Sequence, residues 1–354
     1  MSNVMISHQQ TNKKMPPPSE KDKTPVSKPN PPPDYFPTPL PQSIRSDILT
    51  WRFPRPFHQL TLTGRSRAAW HTSFVIPELN LLLDAGLVVG AHRPKHVFLT
   101  HGHSDHCLLT PAFLRADPPH TPPLLYCPEE MARPLEQFLQ GSQLLNKGFT
   151  GFGEGEGECR LGRLGRYTIT TMKPGEETGL RYVKGQRWKA TAVRCDHTVA
   201  SIGYVFSTTT SKLKPEYQGL KGEEIKRLRT EGVEITGEVE QPVFAFMGDT
   251  TAAVYEEGGE MDGFLKRGVR VVITECSFLR ESREHREQAD KTKHTMWSDL
   301  ERVVRRWPGV VWVVMHFSLR YEEGDVVRFF GEMEERPGNL VVWADGGVGM
   351  GEGR

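Results

Sequence analysis

The stretch HVFLTHGHSDH, residues 96–106, constrains this chain more than any other. Its apolar run, Val97-Phe98-Leu99, reads as a short buried strand. His101, His103, Asp105 and His106 then fall within six positions. In an extended loop His101 and His103 leave the backbone on the same side and can converge on one ion. Asp105 and His106 lie one turn further on, aimed at a second ion. Imidazole with carboxylate is a borderline donor set that suits zinc and also admits manganese or iron. Four side chains cannot complete two such sites, so the fold must bring further ligands to this loop.

Three later places qualify. His197 follows RWKATAVRC, Asp249 follows VFAFM, and His316 ends VVWVVMH. Each is an apolar or alternating run followed at once by a ligand type. A lone His or Asp after a strand is commonly a cap or turn residue. Three of them, after a four-ligand loop, point to one shared rim.

The remaining text is a soluble α/β protein. Strand-like runs at 73–86 (a hairpin turning at 77–80), 96–100, 124–128, 167–172, 187–195, 202–208, 243–247, 270–276 and 310–317 outnumber the helical ones at 129–145 and 296–307. That balance predicts stacked sheets flanked by helices. Eleven of the 27 prolines lie in residues 1–45, which predicts a disordered Pro-rich tail there and a folded domain over 46–350. The Gly-rich 151–159 reads as a surface loop. Five cysteines without a C-x-x-C pair suit a reducing compartment. No run of 18 apolar residues spans a membrane, and no targeting segment is legible, which predicts a cytoplasmic or nuclear protein. Lys plus Arg is 45 against 44 acids, so total charge neither demands nor excludes a polyanionic partner.

His-x-His-x-Asp-His with the later His, Asp and His resembles the metallo-β-lactamase superfamily. The segments TECSF, KTKHTMWSDL and MHFSLRY, and the stretch 212–235, are similar to short-form, plant-like ribonuclease Z over about residues 50–321. That resemblance implies an αββα sandwich with two zinc ions per chain. The first would take His101, His103 and His197; the second Asp105, His106 and His316; Asp249 would bridge them. It also implies removal of the 3′ trailer from pre-tRNA, with Asp105 as base and His294, backed by Glu275, protonating the leaving oxygen. A homodimer is implied too. The chain departs from the family in reading Thr274-Glu275-Cys276-Ser277 at its His-Glu-Ala-Thr motif, and no Gly-Pro-rich projecting tip is legible between His197 and Asp249. Asp84 is expected to buttress the histidine loop. Lys212, Lys214, Lys221, Lys226, Arg227 and Arg229 are candidate phosphate contacts, although the interleaved glutamates fit a solvated helix face slightly better. The rival readings are a dinuclear hydrolase of a small phosphodiester, lactone or sulfate ester, and a metal-binding regulator with a degenerate site.

Overall fold

The computed structural model describes residues 38–41, 47–114, 123–147, 167–181, 183, 185 and 187–346. The expected Pro-rich tail, apart from 38–41, and the Gly-rich segment lie outside these residues.

Two sheets make up the body. One holds eight strands in chain order: β1 (Leu40–Pro41), β2 (Leu49–Arg52), β3 (Thr61–Arg67), β4 (His71–Ile76), β5 (Leu81–Leu83), β6 (His96–Phe98), β7 (Leu124–Pro128) and β8 (Thr168–Met172). The other holds seven, from β9 (Glu177–Gly179) through β10 (Trp188–Arg194), β11 (Ile202–Leu213), β12 (Thr236–Phe246), β13 (Val271–Glu275) and β14 (Val311–Met315) to β15 (Leu340–Val342). Each sheet begins as an antiparallel meander and finishes parallel, the change coming at β5–β6 and at β12–β13.

Alternate residues of one strand serve opposite cores, as the pleat requires. Phe244 and Phe246 of β12, with Val313 and Met315 of β14, enter the core between the sheets, where they meet Phe74 and Phe98. Ala245, Trp312 and Val314 face the other way, against the helix Trp297–Arg306. Val75, Leu82 and Val97 point outward from the first sheet to the helix Glu129–Lys147. Because both faces are covered, the parallel strands read as unbroken apolar runs. The result is helix, sheet, sheet, helix: the expected αββα sandwich.

β11 and β12 run further than the sequence indicated. They stay paired out to Leu213↔Thr236, and the helix Gly222–Thr230 sits between them. The stretch 212–235 is therefore the end of a long hairpin, an extension built without a Gly-Pro-rich tip. No helix among the described residues is long and apolar enough to cross a membrane.

Candidate metal centre

Parallel pairing puts the carboxyl ends of β12, β13 and β14 on one rim. β10 points the same way, being antiparallel to β11, which is antiparallel to β12. Hence His197, Asp249, Glu275 and His316 all emerge together, at or within three residues of a strand end. His101, just past β6, meets them across the cleft. In open α/β sheets this carboxyl edge is where ligands gather.

The histidine loop is shaped locally. His103 has extended backbone and starts the short helix Ser104–Cys107, which lifts Asp105 and His106 into its first turn. Gly86 packs on that turn so closely that a Cβ there would lie 1.8 Å from the Asp105 carbonyl oxygen. Gly248 precedes Asp249 with φ +60, and a Cβ there would meet the Thr100 side chain at 2.7 Å.

Two donor groups form around one carboxylate. In the first, His103 Nδ1 lies 3.1 Å from His101 Nε2 and 3.2 Å from His197 Nε2. Asp249 Oδ2 faces this group, 3.8 Å from His101 Nε2 and 3.9 Å from His197 Nε2. In the second, His316 Nε2 lies 3.2 Å from His106 Nε2 and 3.4 Å from Asp105 Oδ2. Asp249 Oδ1 faces that group, 3.3 Å from His106 Nε2 and 3.4 Å from His316 Nε2.

Hydrogen bonds from behind assign the tautomers. Thr100 donates its backbone N–H and its hydroxyl to Asp84 at 2.8 and 2.9 Å, so the hydroxyl oxygen accepts from His101 Nδ1 at 3.0 Å. His106 Nδ1 donates to Asp84 Oδ2 at 2.7 Å, as expected of a buttress. His197 Nδ1 donates to the Lys293 carbonyl at 3.2 Å. Ser277 gives its hydroxyl proton to Glu275 Oε2 at 2.7 Å, and its oxygen accepts from His316 Nδ1 at 3.2 Å. In all four rings Nδ1 is engaged from behind and Nε2 turns inward, the nitrogen through which a cation would be bound.

Electrostatics point the same way. Burial lowers the pKa of His101, His103 and His197, which keeps these rings neutral. Burial would raise Asp249, but His106 and His316 beside it hold its carboxyl well below the usual range. Burial likewise opposes ionisation of Asp105, and its bond to His316 prevails, holding it at about 2. Burial would push His106 down, but the Asp249 and Asp84 carboxylates outweigh it and raise its pKa well above the ordinary value. The carboxylates thus demand positive charge at their centre. Asp249 Oδ1 is also buried with no hydrogen-bond partner, an orphan atom that a bound ion would satisfy. The residues fit a metal site.

His294 and Glu275 join the same rim. His294 Nδ1 lies 2.8 Å from Glu275 Oε1. Among the described residues that is the one hydrogen bond of the ring, which leaves Nε2 available. His294 Nδ1 is 3.9 Å from Asp249 Oδ2, so it neighbours the two groups. Glu275 is fully buried and takes three more hydrogen bonds, from the N–H of Thr250 and Thr295 and the hydroxyl of Ser277. It therefore holds the residue after Asp249 as well as His294, a wider part than the sequence indicated. Burial lowers the His294 pKa, and the Glu275 carboxylate outweighs it, raising the value to about 9.

Sequence reading missed Thr100, Ser277, Asp196 and Lys293, which support the ligands from neighbouring loops. Their one signal was position: Thr100, Asp196 and Lys293 directly precede His101, His197 and His294, and Ser277 lies two residues past Glu275. The basic stretch is not part of this rim. Lys214 pairs with Glu234 at 3.5 Å and Arg227 with Glu231 at 3.5 Å, on the hairpin and its helix.

No family model matches the chain. A chloroplastic tRNase Z of Arabidopsis thaliana is 28% identical over 268 residues, covering 75% of this chain and 69% of that protein. A second Arabidopsis tRNase Z is 28% identical over 265 residues, covering 73% and 86%. A nuclear ribonuclease Z of Triticum aestivum is 29% identical over 179 residues, covering 50% and 91%. The chain is thus related to plant tRNase Z over most of its length. Among solved structures, human short-form tRNase Z aligns with a TM-score of 0.45 and 15% identity over 79% of this chain and 95% of that one. A metallo-β-lactamase fold protein of Bacillus subtilis aligns at 0.45 and 12% over 88% and 95%.

Proposed function

We propose that the chain is a zinc-dependent tRNA 3′-processing endoribonuclease, which removes the 3′ trailer from pre-tRNA and leaves a 3′-hydroxyl. One juxtaposition carries the reading: in a relative of plant tRNase Z, a two-sided Asp249 stands beside the Glu275–His294 pair.

His101, His103 and His197 with Asp249 Oδ2 would hold one zinc ion; Asp105, His106 and His316 with Oδ1 would hold the other. When bound, the two ions supply positive charge for the phosphoryl oxygens and acidify a water enough to make it a nucleophile. Asp105 is ionised at neutral pH and accepts that water's proton. Attack at phosphorus breaks the bond to the ribose 3′-oxygen, which must gain a proton as it leaves. His294 donates it from Nε2, because Glu275 keeps the ring protonated at neutral pH. The tRNA departs with a 3′-hydroxyl and the trailer with a 5′-phosphate. We further assign the working form as a homodimer in the cytoplasm or nucleus, and residues 1–45 as dispensable for chemistry.

The test is zinc-loaded protein with a 3′-extended pre-tRNA transcript. A single cut releasing a 5′-phosphorylated trailer is expected. Turnover of bis-p-nitrophenyl phosphate with the transcript left intact would favour a small-phosphodiester hydrolase instead.

A further inference from the structure

Three loops of the rim meet at a carboxylate with no part in the chemistry above. Asp196 precedes His197. Its Oδ1 accepts from Lys293 Nζ at 2.6 Å, and its Oδ2 from the Thr251 hydroxyl at 3.0 Å. Its backbone is tied in as well: the Asp196 N–H donates to Thr250 Oγ1 at 3.1 Å, and the Thr251 N–H donates to the Asp196 carbonyl at 3.2 Å. One residue thus links the loop of His197, the loop of Asp249 and the loop of His294.

Lys293 is the sensitive end of this clamp. It closes the helix Arg283–Thr292 in left-handed backbone, φ 52 and ψ 53, a conformation that non-glycine residues hold only with outside support. Within the helix that support is the Ala289 carbonyl, which accepts from the N–H groups of both Lys293 and His294. The helix is polar, with Ala289 its one buried residue; its apolar contact is a three-residue cluster of Phe278, Ala289 and Met296, and Arg286 with Asp299 and Ser298, and Gln288 with Arg320, hold its outer face. Lys293 is followed directly by His294, and its own carbonyl receives His197 Nδ1. The angle at which His294 enters the cleft is set at this turn.

We propose that Asp196 is a positioning residue: through its ion pair with Lys293 it fixes the turn that seats His294 against Glu275. The pair is half exposed, so it contributes little to global stability, and its effect is on geometry. A small misplacement of a proton donor costs rate steeply. The chemical consequence rests on the function proposed above; the geometric consequence does not.

The test uses the full chain carrying Asp196→Asn, Lys293→Met and Lys293→Arg. Asparagine keeps the Thr251 bond and removes the charge, and arginine restores a cation. Hydrogen–deuterium exchange should rise over 289–297 in the first two variants, remain at the wild-type level in the third, and be unchanged elsewhere. Zinc content should stay at the wild-type level throughout. Turnover of pre-tRNA should fall about tenfold in Asp196→Asn and Lys293→Met, with a much smaller loss on bis-p-nitrophenyl phosphate, whose leaving group needs no proton. Unaltered exchange over 289–297 would overturn the clamp whatever the activities. Loss of zinc, or equal loss on both substrates, would make Asp196 a support of His197 and overturn its link to His294. A wild-type protein that leaves pre-tRNA uncut would remove the proposed function, while the exchange measurement would still decide the clamp.

Discussion

Glu275 and His294 lie 19 residues apart in sequence and 2.8 Å apart in space, carboxylate Oε1 to imidazole Nδ1. The bond leaves Nε2 of His294 as the nitrogen able to reach a substrate. It also separates this ring from the four whose Nε2 atoms turn toward Asp249.

His294→Ala should therefore leave the metal content unchanged. Its pre-tRNA turnover should fall about 10²–10⁴-fold, the range for losing a general acid. On bis-p-nitrophenyl phosphate the loss should be much smaller. Elemental analysis alongside the two assays checks this; zinc loss or equal impairment would make His294 a ligand or a structural residue.

Glu275→Gln should change the pH dependence. His294 is raised to about 9 in the fold from an ordinary 6.5, so the charged pair stabilises fully below 6.5 and that contribution is lost as pH rises through about 9. The acid needed for turnover is lost over the same interval. The alkaline limb of the rate profile should lie near pH 9 in the wild type and move to lower pH in the variant. Glu275→Ala should also destabilise by about 3 kcal/mol in thermal melts, because buried donors at Thr250, Thr295 and Ser277 lose their acceptor. A variant with the wild-type alkaline limb would contradict the pairing.

Asp249→Asn should lower metal occupancy. The wild-type chain, purified without chelator, should carry close to two equivalents of zinc or a similar ion. An amide presents one good donor oxygen and no charge, so the variant should retain well under two. Full occupancy in the variant would show that Asp249 does not bridge.

Gly248→Ala should damage the same site from the backbone. The residue has φ +60, and a Cβ would stand 2.7 Å from the Thr100 side chain, which carries the Asp84 buttress. A cost of about 1–3 kcal/mol is expected, together with weaker metal retention. A melting temperature and zinc content equal to wild type would show that the loop accommodates the methyl group by moving.

The histidine loop was legible because its information is local: donor types, a two-residue spacing and an apolar strand before it. β6, β7, β10, β13 and β14 were legible because burial on both faces or one makes their residues apolar in sequence. β3 was not, since Arg65 and Arg67 point into the protein where a strand pattern calls for apolar residues. Their charge is met at 2.8 and 2.7 Å by Glu323, more than 250 residues away. The helix Arg283–Thr292 was missed for a related reason: with one buried residue it has no apolar stripe to read. The two sheets share a plan, antiparallel then parallel, yet no sequence repeat marks it, because many residue sets satisfy the same pleat and the same cores.

The sequence by itself determined which side chains could bind and the strands that carry them. Only the tertiary structure decided their relations. The Asp249 carboxylate became two-sided because β6 and β12, in different sheets, end at one rim. Asp196 and Lys293 became partners because a left-handed turn brings residues 97 apart to 2.6 Å. Donor chemistry is a property of a residue and its neighbours in the chain. The direction in which an oxygen or a ring nitrogen faces is set by packing among strands that the chain visits far apart.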